Sequence, residues 1–124
     1  MAQILVIDDD ELQRDTLRNL LQREGYEVAI ACNGKEALNY LARNPTTLVI
    51  TDIYMPEMDG FELIDGIHSK YDGLKVIAIS GGGVLHAKEI THRLAGDLGL
   101  DGYFEKPFVV NEFLEKVKEL VPSQ

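Results

Sequence analysis

Cysteine and basic side chains are scarce in this 124-residue sequence. Cys32 is the only cysteine, so the chain can form neither an internal disulfide nor a zinc site built from several thiolates. Its 12 lysine and arginine residues are outnumbered by 21 aspartate and glutamate residues, which gives a formal net charge of −9. This charge disfavours nonspecific binding to nucleic acid or anionic membranes, because both attract basic surfaces. We therefore expect a protein of the reducing cytoplasm that does not bind nucleic acid.

Long apolar runs are also missing. No stretch approaches the roughly 20 residues of a membrane-spanning helix, and residues 1–4 contain no basic leader. We expect neither a signal peptide nor insertion into a membrane. The length suits a single domain over residues 1–124, and apolar side chains make up 45% of the chain, as in ordinary globular domains.

Short apolar runs alternate five times with stretches of helical period. The predicted strands are 4–7, 26–31, 48–52, 76–79 and 102–104. The predicted helices are 11–24, 35–43, 60–70, 84–98 and a last one that follows a cap at Asn111 and runs to Val121. Parallel strands need helical crossovers, so this alternation predicts an α/β fold with a five-stranded parallel sheet covered on both faces. The second run alternates polar and apolar residues, which is typical of an edge strand.

Capping and turn residues mark the boundaries of these elements. Asp10 is predicted to cap the first helix, and Asn111 the last one. Asn33 and Gly34 are predicted to form a turn. The run Gly81-Gly82-Gly83 is predicted to lie outside regular structure, because ordering glycine costs much backbone entropy.

Chemically functional side chains follow four of the five predicted strands. Asp8 and Asp9 follow the first strand, Asp52 ends the third, Ser80 follows the fourth, and Lys106 follows the fifth. The carboxyl ends of parallel strands open at one edge of the sheet, where ligands of such folds bind. We therefore expect these five side chains to lie together.

Three adjacent carboxylates repel one another, and a hard cation relieves that repulsion. Oxygen-only ligands select Mg²⁺ or Ca²⁺, and a small site with few carboxylates and room for water favours Mg²⁺. With a cation in place, one carboxylate can attack a phosphoryl group, while Lys106 and Ser80 stabilise the phosphoryl oxygens. The set is therefore sufficient for phosphoryl transfer to an aspartate.

Several short motifs occur in order along nearly the whole chain: Asp8-Asp9, Asp52, Met55-Pro56, Asp59-Gly60, Ser80 and Lys106-Pro107. Together they resemble the receiver domain of bacterial two-component response regulators, in particular the single-domain, chemotaxis-type receivers. The resemblance implies a flavodoxin-like three-layer sandwich with five helices and strand order 2-1-3-4-5. It also implies a sensor histidine kinase or a histidine phosphotransfer protein as phosphodonor.

The resemblance implies a role for each site residue. Asp52 would be the phosphoacceptor, and Lys106 would pair with it or its phosphate next to a cis peptide bond to Pro107. Mg²⁺ would be bound by Asp9, by Asp52 and by the backbone carbonyl of Tyr54. Asp8 would act on the ion through water.

The same resemblance implies a conformational switch. Ser80 would be the switch hydroxyl, and Tyr103 the aromatic residue coupled to it. The signal would appear on the surface formed by the fourth predicted helix, the fifth strand and the last helix. No output domain is expected after Gln124, so the signal would pass by protein contacts to a target that the sequence does not indicate.

Other interpretations stay open. Glycine follows Ser80 where family members commonly have alanine, so a non-switching pseudo-receiver that only docks partners is one alternative. A receiver taken from a larger regulator is another. A hydrolase of the haloacid-dehalogenase type is disfavoured, because such enzymes carry an acid two residues beyond the nucleophile, where this chain has Tyr54. We predict that the protein is not an enzyme and catalyses only its own phosphorylation and dephosphorylation.

Overall fold

The computed structural model describes residues 3–53, 60–81 and 99–122. In chain order the elements are β1 (Ile4–Ile7), α1 (Glu11–Arg23), β2 (Val28–Ala31), α2 (Gly34–Arg43), β3 (Leu48–Asp52), α3 (Gly60–Lys70), β4 (Lys75–Gly81), β5 (Gly102–Lys106) and α4 (Val110–Leu120). The predicted helix over 84–98 lies outside the described residues, so α4 corresponds to the fifth predicted helix. No helix in the described ranges is both long and apolar enough to cross a membrane.

All five strands are parallel and form one sheet in the order β2-β1-β3-β4-β5. The predicted α/β fold class and strand order are confirmed, and β2 lies at an edge as expected. The strand order reverses at β1, whose two neighbours are β2 and β3. The crevice at the carboxyl ends of β1 and β3 is therefore the place where this type of sheet binds ligands.

The core has two parts, one on each face of the sheet. Along β1, Leu5 and Ile7 pack with α2 and α3, whereas Ile4 and Val6 pack with α1 and α4. All four side chains are at most 1% exposed. Successive side chains of a strand point to opposite faces, so an uninterrupted apolar run is what a strand covered on both sides requires.

Three residues were predicted at helix starts. One predicted cap is confirmed, one predicted turn residue is also a cap, and one predicted cap is wrong. Asp10 caps α1 as expected and accepts the Leu12 N–H at 3.0 Å. Asn33 does more than turn the chain, because its side chain accepts the Glu36 N–H at 2.8 Å and caps α2. The prediction that Asn111 caps the last helix is wrong. Helix α4 begins at Val110 without a side-chain cap, so Asn111 lies inside its first turn.

Strands β4 and β5 are longer than predicted at the carboxyl edge. The prediction that Gly81 lies outside regular structure is wrong, because this residue ends β4 and is in register with Lys106 of β5. Pairing with β5 supplies ladder hydrogen bonds that offset the entropy cost of ordering a glycine. Gly82 and Gly83 lie outside the described residues. Ser80 and Lys106 therefore sit on strands rather than on loops.

Candidate functional site

Three carboxylates meet at the carboxyl ends of β1 and β3. Asp8 follows β1 and is only 2% exposed, Asp9 is exposed, and Asp52 is the half-buried last residue of β3. One carboxylate oxygen from each residue lies within 4.8 Å of the others. The structure thus brings together the three acids that the strand-end pattern placed at one edge.

Strand pairing explains this convergence. Ile7 of β1 is in register with Thr51 of β3, so the residues that follow them, Asp8 and Asp52, emerge side by side. The Asp8 N–H donates to the Ala31 carbonyl at 3.2 Å, which extends the β1–β2 ladder to the first acid. The position of the acids is therefore set by the sheet itself.

Lys106 supplies the positive charge at this cluster. Its Nζ lies 3.3 Å from Asp52 Oδ2 and 3.7 Å from Asp8 Oδ2. The lysine side chain is only 20% exposed, so water screens these pairs less than it screens surface ion pairs. The peptide bond from Lys106 to Pro107 is cis, as the resemblance implied.

The electrostatics of the cluster favour a cation. Burial raises the pKa of Asp8, and the charges of Asp52 and Asp9 raise it further. The Asp10 N–H, which donates to Asp8 Oδ1 at 2.9 Å, and the charge of Lys106 act in the opposite direction. Because three carboxylates share a single lysine at this edge, the three acids fit a hard divalent ion bound through oxygen.

Ser80 and Tyr103 lie on the two neighbouring strands. Ser80 is 2% exposed, and the residue before it, Ile79, is in register with Asp52. Tyr103 is half-buried in β5, and its hydroxyl donates to Glu105 Oε1 at 3.2 Å. Tyr54, whose carbonyl was predicted to bind Mg²⁺, lies outside the described residues, as do Met55, Pro56 and Asp59.

The structure adds a residue that sequence reasoning missed. Arg14, in α1, donates from Nη1 to the backbone carbonyl of Asp8 at 3.2 Å. The sequence offered one indication of this contact, namely a basic residue six positions after Asp8. An arginine one turn into an amphipathic helix is usually taken as a surface residue, so the signal was weak.

Comparison with known proteins identifies the family. The model of the response regulator receiver domain matches residues 4–118. The chain belongs to this family. Response regulator MprA of Mycobacterium sp. (strain KMS) is 38% identical over 122 residues, which cover 97% of this chain and 50% of the relative. This receiver chain thus spans about half the length of the curated relatives that it matches.

Solved receiver structures have the same fold. A response regulator receiver domain protein from Clostridium thermocellum superposes with a TM-score of 0.86 and 28% identity, covering 98% of this chain and 94% of that chain. A CheY-like receiver domain protein from Methanospirillum hungatei JF-1 gives a TM-score of 0.84 and 34% identity, covering 96% and 92%. The likeness extends over the full sheet and is not limited to the acidic motif.

A partly apolar groove adjoins the site of this receiver. It lies between α1 and the segment after β5, has a volume of about 670 Å³, and includes Leu12, Lys106, Pro107 and Val110 in its lining. Leu12 is 76% exposed and Val110 is 45% exposed. Large exposed apolar side chains beside a functional site are typical of a surface that contacts another protein.

Proposed function

We propose that this receiver accepts a phosphoryl group on Asp52 from a histidine kinase or a histidine phosphotransfer protein, in a reaction that requires Mg²⁺. The observation that carries the proposal is the position of Asp52 Oδ2, which lies 3.3 Å from Lys106 Nζ within a cluster of three carboxylates. A nucleophile, a fixed positive charge and a cation-binding set are the parts that such a transfer needs.

The exposure of the acids supports Asp52 as the nucleophile. Its side chain is 12% exposed, against 3% for Asp8. Burial also raises the pKa of Asp8, so that its ionised form is disfavoured before a cation binds. Asp52 is therefore the more accessible of the two carboxylates that contact Lys106.

In the proposed step a carboxylate oxygen of Asp52 attacks the phosphorus of a phosphohistidine. The bond from phosphorus to the imidazole nitrogen breaks, and the nitrogen keeps the electron pair. Lys106 Nζ stabilises the negative charge on a phosphoryl oxygen, and the Ser80 hydroxyl donates to another. Mg²⁺, held by Asp8, Asp9 and Asp52, would neutralise phosphoryl charge when bound.

The groove beside Lys106 supports a protein as the phosphodonor. A donor that brings phosphohistidine to Asp52 must contact the residues around the site, and a small-molecule donor needs no such surface. The exposed side chains of Leu12 and Val110 give a protein partner apolar area to bury. The proposal includes a reducing cytoplasmic location, which agrees with a chain whose single cysteine, Cys32, can form no internal disulfide.

We further propose that phosphorylation is read through protein contacts on the surface that includes β5 and α4, with Ser80 and Tyr103 as the switch residues. Residues 1–124 would act as one receiver unit. A receiver unit of a longer regulator is the second candidate, because the matched relatives are about twice as long. The chemistry at Asp52 is the same in both cases.

The proposal is tested by phosphorylation with Mg²⁺ and acetyl phosphate, followed by intact mass spectrometry. Wild type is expected to gain one phosphoryl group, and Asp52→Asn to gain none. Asp15→Asn, a half-buried acid of α1 that is not part of the acidic cluster, is the control and is expected to label like wild type. Labelling of Asp52→Asn at the wild-type rate would refute the assignment. Unchanged amide spectra on adding Mg²⁺ and beryllofluoride would instead favour a non-switching pseudo-receiver.

A further inference from the structure

Arg14 is half-buried in the second turn of α1 and reaches back to the end of β1. Its Nη1 donates to the backbone carbonyl of Asp8 at 3.2 Å. Its Nε is buried and has no hydrogen-bond partner among the residues that the structure describes. An unpaired buried donor costs free energy, so an apolar side chain at this position would serve simple packing better. The arginine therefore calls for an explanation other than packing.

The contacts of Asp8 indicate what the arginine does. The Asp8 N–H donates to the Ala31 carbonyl at 3.2 Å, and Asp8 Oδ1 accepts the Asp10 N–H at 2.9 Å. The Arg14 contact adds the backbone carbonyl, so three of the four polar atoms of Asp8 are bound in place. The fourth, Oδ2, lies 3.7 Å from Lys106 Nζ in the acidic cluster.

The carbonyl of Asp8 and the N–H of Asp9 belong to one planar peptide group. Holding that carbonyl therefore also sets the direction in which the Asp9 main chain continues. The Asp9 side chain is exposed, so protein packing restrains it little, and its approach to Asp8 and Asp52 depends on the main chain. A carboxylate that must meet two others within 4.8 Å needs such a restraint.

We infer that Arg14 is a positioning residue for the acidic cluster: it fixes the peptide group between Asp8 and Asp9, and thereby holds the Asp9 carboxylate where a divalent cation can bind all three acids. The inference rests on the proposed function for the identity of the cation, Mg²⁺. It concerns the affinity for the ion and leaves the phosphoryl-transfer chemistry to Asp52 and Lys106.

Arg14 differs in this respect from Lys106. Lys106 contacts two carboxylates of the cluster directly, whereas the Arg14 contact goes to a backbone oxygen on the side of β2. Arg14 thus acts on the main chain of the cluster, whereas Lys106 acts on its carboxylates.

Isothermal titration with Mg²⁺ tests the inference on the whole chain. Arg14→Met is expected to bind Mg²⁺ roughly tenfold more weakly than wild type, as when a partner that orients a metal ligand is removed. Arg14→Lys, which keeps a donor on a shorter stem, is expected to lie between the two. Arg18→Met is the control, since Arg18 lies one turn further along α1 and pairs with Asp15 at 3.3 Å.

The direction in which Arg14→Met changes the Mg²⁺ affinity distinguishes a positioning role of Arg14 from a simple charge effect. Removing a positive charge near a cation site strengthens cation binding if the charge acts only by repulsion. A folded Arg14→Met that binds Mg²⁺ as tightly as wild type, or more tightly, would overturn the inference. A lower melting temperature with unchanged Mg²⁺ affinity would show a purely structural role and would overturn it as well.

A second measurement applies if Arg14→Met does not fold. In wild type, the Arg14 Nε–H and Asp9 amide resonances are expected to shift together during a Mg²⁺ titration, with one dissociation constant. A moving Asp9 amide with a stationary Arg14 Nε–H would refute the inference. If wild type itself binds no Mg²⁺, the proposed function fails too. If Asp52 is labelled normally and Arg14→Met binds Mg²⁺ as tightly as wild type, the Arg14 inference is refuted and the proposed function is not.

Discussion

Lys106 Nζ lies 3.3 Å from Asp52 Oδ2, although their strands are not neighbours. Strand β4 separates β5 from β3, and neighbouring strands are about 4.8 Å apart. The long lysine stem spans this gap because both residues stand at the carboxyl edge, where side chains can extend over the strand ends. The pair joins the two halves of the site, the acids of β1 and β3 and the residues of β4 and β5.

Replacing Lys106 with Met is expected to slow labelling of Asp52 by acetyl phosphate on the order of 100-fold, the usual effect of removing one group that stabilises developing charge. Mg²⁺ binding is expected to survive, since loss of the lysine charge removes repulsion of the cation. Rates come from mass spectrometry and affinities from titration. Lys116→Met is the control, because the Lys116 ammonium pairs with Glu119 of the same helix at 3.3 Å and not with an acid of the cluster. Equal labelling rates for Lys106→Met and wild type would exclude the lysine from the reaction.

Mg²⁺ is expected to stabilise the folded protein. At a free concentration ten times the dissociation constant, binding to the native state alone contributes about 1.4 kcal/mol to the free energy of unfolding. Asp9→Asn is expected to lose this increment while keeping its ion-free stability, because Asp9 is exposed. Urea unfolding with Mg²⁺ and with EDTA measures both effects. An equal increment in Asp9→Asn would remove Asp9 from the ligand set.

The fold and the convergence of the acids could be predicted because both follow from local patterns. The run from Ile4 to Ile7 is fully apolar, and the structure shows the strand buried on both faces. Asp8 and Asp52 follow such runs, and parallel pairing then places them at one edge. The structure confirms the fold and places the acids together, whereas the roles of the individual residues stay predictions.

The remaining features depend on contacts that the sequence does not display. Gly81 is ordered as a strand residue because β5 pairs with it, and no local rule indicates that partner. Helix α4 begins at Val110 without a side-chain cap, so a search for a capping residue found Asn111 instead. The contact from Arg14 to the Asp8 carbonyl requires the helix to turn back over the strand end, which only the assembled fold defines.

Leu12→Glu is expected to impair phosphotransfer from a protein donor but not from acetyl phosphate. Leu12 is 76% exposed in the groove beside Lys106, so a charge there costs little folding energy and yet disfavours burial against a partner. The measurement compares rates with acetyl phosphate and with a phosphorylated histidine kinase that labels wild type. Asn19→Glu, exposed on the same helix, is the control. Equal loss with both donors would contradict a docking role.

Tyr26→Phe is expected to destabilise the fold without affecting the site. The Tyr26 hydroxyl is buried and donates to the Val121 carbonyl at 2.6 Å, which links the end of α4 to the segment just before β2. Removing a buried donor and leaving its acceptor unpaired costs about 1–3 kcal/mol. Urea unfolding at pH 7 measures this loss of stability. Tyr40→Phe is the control, because Tyr40 is a half-buried tyrosine of α2. It is expected to change the free energy of unfolding by less than about 0.5 kcal/mol.

The effect of Tyr26 is expected to depend on pH in a defined direction. Burial raises the pKa of Tyr26 above its ordinary value near 10, aided by the charge of Glu24 and opposed by that of Lys118. The folded state therefore holds the phenol proton more tightly than the unfolded state. This contribution is complete below pH 10 and is lost as the pH rises through the raised pKa. The difference in unfolding free energy between wild type and Tyr26→Phe should accordingly shrink above pH 10. The other titrating groups are the same in both proteins, so their contributions cancel in this difference. A difference that stays constant across this range would show that the buried hydroxyl does not resist ionisation.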